Sequence, residues 1–89
     1  MAGPKGLNVA EMQNLIATCR REASNIRGAI SSVNGTVNST WWQGEDADKF
    51  RNEWSYSDRR RLENVAAELD RLAGQLGREV AAQRSTSGF

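Results

Sequence analysis

Histidine is absent from this chain, and Cys19 is its one cysteine. Without an imidazole, the commonest general base and the commonest metal ligand are missing together. A lone thiol makes no internal disulfide and no Cys–His pair. Its place on an apolar stripe reads as a small buried hydrophobe; the sharper alternative is a cross-chain disulfide or a reactive thiol. Proline occurs once, as Pro4, so no later residue breaks a helix in that way. No glycine-rich phosphate loop is present. No apolar run reaches the roughly 18 residues of a membrane span. Charge of one sign is not in excess either. The formal net charge is +1, which offers nucleic acid no bulk basic surface. Together these absences predict no enzyme, no cofactor and no metal site. Residues 1–6 have no apolar stretch behind them, which reads as no secretory signal peptide. Export would then need a route that does not read one.

What is present suits one small helical domain: 89 residues, 38% hydrophobic and 26% charged. Residues 1–7 read as a flexible arm, broken by Gly3, Pro4 and Gly6. Asn8 reads as an N-cap, and Glu11 completes a capping-box-like pair. Apolar residues follow at Val9, Met12, Ile16, Cys19, Ala23, Ile26, Ile30, Val33 and Val37. The steps alternate between three and four, which is a seam of a and d positions. Leu15 and Ala29 widen that stripe. Arg20, Arg21, Glu22, Asn25 and Arg27 lie off it, on faces that can stay wet. Gly28 and Gly35 each cost a helix about 1 kcal/mol relative to alanine. They are explained by tolerance or by close approach of a neighbouring helix. Residues 33–40 form helix poorly, so helix 1 is predicted over 8–38.

The chain is organised around the bend at 39–44 and the residues just after it. Gly44 supplies backbone freedom for a reversal. Glu45, Asp46 and Asp48 then crowd the first turn of the next helix, where the macrodipole favours negative charge. Trp41 and Trp42 stand beside the turn, where they can plug the end of a helix pair, and Trp42 is expected to stay partly exposed because a hairpin tip has few neighbours to cover an indole. Helix 2 is predicted over 45–82. Its seam begins Ala47, Phe50, Trp54 and resumes at Leu62, Val65, Leu69, Leu72, Leu76 and Val80. The gap from Trp54 to Leu62 reads as two steps of four through Asp58, a stutter that unwinds a supercoil locally. Tyr56 is placed to cover that thin region. Ala66, Ala67, Ala73 and Ala81 form a smaller apolar line beside the leucines. Arg59, Arg60 and Arg61 read as solvated surface paired with Glu53 and Glu63, or else as a small anion-docking patch. Residues 83–89 read as a flexible tail.

These observations predict an all-α fold, an antiparallel helical hairpin. Each helix would span roughly 45–60 Å at 1.5 Å per residue. A hairpin that long closes no core, and its stripes are wider than a two-helix seam needs. Pairing with a second hairpin into a four-helix-bundle dimer would satisfy them.

A helical hairpin of this length with Trp42-Gln43-Gly44 at its bend resembles the WXG family, the small ESAT-like proteins of type VII (ESX-type) secretion. Ala47 and Phe50 continue the family's common W-x-G-x-x-A-x-x-F spacing. The resemblance covers nearly the whole chain. It implies a homodimer or heterodimer of hairpins, exported folded through a membrane ATPase without a cleaved signal. The chain would be cytoplasmic before export and extracellular after it, as an effector or as an export partner of another substrate. Many actinobacterial pairs carry a Tyr-x-x-x-Asp/Glu signal after helix 2. Here the one tyrosine is Tyr56, four residues before Arg60, so a partner or another signal must supply it. Two other functions fit the same pattern. One is an intracellular helical dimerisation adaptor with no secretion role. The other is a membrane-active helical protein, which near-neutral charge and the alanine-rich second face disfavour.

Overall fold

The helices begin and end where side chains satisfy the backbone. In a computed structural model, which describes residues 6–87, Asn8 is extended and its Oδ1 accepts from the Glu11 amide at 3.0 Å. That caps α1, Val9–Ser39. The weak helix formers near its end do not unwind it. The Thr40 amide and hydroxyl both donate to Thr36 O, at 2.9 and 2.6 Å, and close the last turn. The helix α2, Glu45–Glu53, starts after Gly44 with Glu45, Asp46 and Asp48 in its first turn. It passes into a π turn, Trp54–Asp58, and then into α3, Arg59–Ser87. About nine-tenths of the described residues are helical, and none of them is in a strand. Helix therefore continues past the predicted end at 82, as far as Ser87. Residues 1–5 of the expected arm and 88–89 of the expected tail lie outside the described residues.

Contacts fix the topology. Asn34 meets Trp54, and farther back on α1, Arg27 meets Asp70, farther along the chain. The two arms therefore run antiparallel, as a hairpin of extents 66 × 17 × 17 Å. No described helix is long and apolar enough to cross a membrane.

The line of closest approach differs from the expected leucine seam. Ala23 and Ile30 on α1, Ala47 and Trp54 before and at the π turn, and Ala66, Ala73 and Val80 on α3 form the buried set. Leu69, Leu72 and Leu76 are half-buried flanks, while Leu62, Val65 and Val33 are exposed. Small side chains, not large ones, face α1 along α3. Of the expected alanine line, Ala66 and Ala73 are in the contact, and Ala67 and Ala81 are exposed. Met12, Ile16, Cys19 and Ile26 are half-buried on α1. Gly28 and Gly35 have no atom within 4 Å of where a Cβ would stand, so they are tolerated, not needed for close packing.

The cause of the shift is the turn at 54–58. A stutter of four-residue steps through Asp58 was expected. Instead the Arg59 amide donates to Trp54 O, an i→i+5 bond that adds one residue to the turn. Tyr56 covers nothing there and is 70% exposed.

Candidate functional site

The bend is built by one unusual backbone and one arginine. Gly44 has φ 116° and ψ 178°, a region open in practice only to glycine. Its carbonyl accepts from the Asp48 amide at 3.0 Å and so starts α2. Arg51, in the last turn of α2, reaches back across the loop. Its Nη2 donates to Trp42 O at 2.8 Å and to Thr40 O at 3.4 Å. Two carbonyls that no helix satisfies are thereby tied to a guanidinium.

The tryptophans do not plug the hairpin end. Trp41 is 83% exposed and Trp42 43%. Trp42 leans instead on Phe50, with ring centroids 5.9 Å apart and planes tilted by 49°. Between this pair and α1 lies an open apolar groove of about 410 Å³, lined by Val33, Thr36, Val37, Trp42, Phe50 and Arg51 among others.

The π turn is pinned from α1. Trp54 is buried, and its Nε1 donates to Asn34 Oδ1 at 2.6 Å. At the other end of the turn, the Arg59 Nε is buried with no hydrogen-bond partner, 3.9 Å from a Glu63 oxygen.

The hairpin has two unlike sides. On one, Asp70 takes Arg27 at 2.8 Å and Arg20 at 3.9 Å. Asn34 and Glu63 continue that polar side, around a groove of about 240 Å³ shared with Arg27, Ile30 and Ser31. At 3.6 residues per turn, Leu15 and Val33 share one bearing on α1, five turns apart, on the flank away from Arg27. On α3 the same count puts Leu62, Val65, Leu69 and Leu72 on the flank away from Asp70. Arg27 and Asp70 touch, so the two apolar flanks lie together on the opposite side. Leu15, Val33, Leu62, Val65, Trp42 and Phe50, all exposed, thus belong to one face running from the bend along both arms.

Of the residues singled out in the sequence, Trp42, Phe50 and Val33 meet at the groove, while Ala47 and Trp54 are buried between the arms. Trp41 joins neither. Cys19 is half-buried with a free thiol. Arg59 has Glu63 nearby, as expected, but it is half-buried and not fully solvated. Two structural residues escaped the sequence. Asn34 and Arg51 act on partners 20 and 9 residues away, which periodicity does not register. Among the described residues, no three His, Cys, Asp or Glu side chains group to hold a metal. Compared with known proteins, the chain matches no family model, no curated protein and no solved structure.

Proposed function

We propose that the chain is a substrate or export partner of a type VII (ESX-type) secretion system, acting by pairing with a second hairpin and by docking through its bend. The observation that carries this reading is the row of exposed apolar side chains from Trp42 and Phe50 to Val65 and Leu15, interrupted on α1 by Glu22 and joined to a glycine-only backbone at Gly44 of Trp42-Gln43-Gly44. A face that runs along a rod 66 Å long is matched in length by another rod with an apolar helical stripe. Apolar burial along it would drive the association. The half-exposed Trp42 beside a groove supplies an aromatic anchor for the secretion ATPase or a co-substrate.

Trp42→Ala tests the docking role. The Trp42–Phe50 ring contact is worth about 0.5–1.5 kcal/mol beyond area burial, so the melting temperature should fall only modestly. Export into the culture supernatant, in cells that carry the secretion ATPase, should be lost. Export that falls only in proportion to folded protein would make Trp42 a structural clamp. Retention of the unaltered chain in the cytoplasm, with or without the ATPase, would favour an intracellular dimerisation adaptor.

A further inference from the structure

The leucines of α3 face outward because of one extra residue. In an unbroken α-helix, Leu72 lies 18 residues after Trp54, which is five full turns, and Val65 lies about three turns after it. Both would share the bearing of Trp54, which faces α1. The i→i+5 bond from the Arg59 amide to Trp54 O delays everything downstream by one residue, or roughly 100° of rotation. Ala66 and Ala73, each one residue later, take the inward bearing and are fully buried. Val65 is left 49% exposed. Two further features hold this arrangement. Asn34 fixes Trp54 at the start of the turn, and Arg27 with Arg20 fixes Asp70 beyond it. The arrangement also has a cost, since it buries Arg59 Nε without an acceptor.

We propose that the π turn at Trp54–Asp58 is a register device with two settings. With the extra residue in the turn, alanines pack on α1 and the leucine face is offered to a partner. With that residue released, α3 rotates and the leucine face closes on α1. The partner half of this proposal rests on the pairing reading above; the register half does not. Two packings of one sequence that exchange a small-residue contact for a leucine contact form a two-state element.

The test uses the full chain in a Cys19→Ser background that carries Ala66→Cys as a reporter, with Asn34→Ala made at natural length and again with Ser57 deleted. Position 66 is inward in the π register. In the unbroken register it turns out towards the polar side, which a partner on the apolar face leaves open. Deleting Ser57 leaves position 66 about three α turns after Trp54, so the deleted chain keeps the alanine register with no extra residue to release. The reporter should be protected in the chain of natural length and in the deleted one. Asn34→Ala removes the hydrogen bond that fixes Trp54. At natural length it should speed maleimide labelling at least about tenfold, with helix content retained by circular dichroism. In the deleted chain the same substitution should leave the reporter protected. Light scattering should show the dimer reduced to a monomer by Asn34→Ala at natural length. An unchanged labelling rate at natural length overturns the proposal, as does an equal acceleration in the deleted chain, and so does a register change that leaves the dimer intact. A monomer before any substitution at Asn34, with the reporter still responding to Asn34→Ala, would remove the pairing reading and leave the register device standing. If the deletion unfolds the chain, Ser55→Ala with Ser57→Ala at natural length decides. Alanine favours ordinary helix there, so labelling should speed up, and an unchanged rate overturns the proposal.

Discussion

Gly44 carries the sharpest constraint on any single residue. At φ 116° and ψ 178° an L side chain is strained, although a Cβ there would meet no atom within 4 Å. The penalty of Gly44→Ala is therefore conformational and should be about 1–3 kcal/mol. That is at or above the 1 kcal/mol expected of a glycine position chosen only for flexibility. Chemical synthesis with D-alanine at position 44 separates the causes. The D-residue fits the same angles, so its melting temperature should match or exceed that of the glycine chain, while the L-residue lowers it. Glu68 offers a smaller effect. Its hydrogen bond from Arg71, 2.9 Å from Nε, holds its carboxyl below the ordinary glutamate range. A carboxyl lowered in the folded state stabilises above its unfolded pKa and loses that contribution as the pH falls through its folded value. Glu68→Gln should therefore flatten the acid side of the stability–pH profile slightly, the pair being exposed to solvent screening.

At the scale of the helices, the buried alanines set the spacing between arms. Ala73 is fully buried where α3 meets α1. Ala73→Leu should force the arms apart or off their rotamers and cost about 1–3 kcal/mol, read as a lowered denaturation midpoint. This contact also marks what the sequence could and could not disclose. The seam of α1 was legible, because three-four spacing runs through Ala23 and Ile30 without a slip. The cap at Asn8, the acidic start of α2 and the special backbone of Gly44 were legible from local chemistry. The register of α3 was not. Counting apolar residues favours the largest side chains, so it places leucines inside and alanines beside them. One added backbone residue between Trp54 and Arg59 reverses that order, and no side-chain pattern announces an i→i+5 bond. The Asn34–Trp54 contact that pins it joins residues whose types give no hint of each other. The groove at the bend was half legible: Trp42 and Phe50 were singled out, but Arg51, which closes the loop beneath them, was not.

For the molecule as a whole, shape decides what the chain needs. Its radius of gyration is 19.7 Å, against roughly 12 Å for a compact domain of this length. Its accessible surface is 6551 Å², against roughly 5,200 Å² for a compact protein of this mass. The difference is of the order that a standard interface removes from each partner or somewhat more. On the pairing proposed above, part of that surface is covered only in the dimer, so folding and pairing would depend on each other and the melting temperature should rise with protein concentration. The two can still be separated by choosing the face. Leu69→Asp or Ile26→Asp puts a carboxylate at the half-buried edge of the contact between the arms, where an unpaired charge costs several kcal/mol. Fold and dimer should fail together. Val65→Asp puts the same charge where the hairpin itself leaves the side chain in water. Far-ultraviolet circular dichroism of a dilute sample should then match that of the unaltered chain. Sedimentation should report a monomer, and the melting temperature should no longer vary with concentration. A Val65→Asp chain that still sediments as a dimer would place the partner on some other side of the hairpin, and the apolar face would then need another explanation.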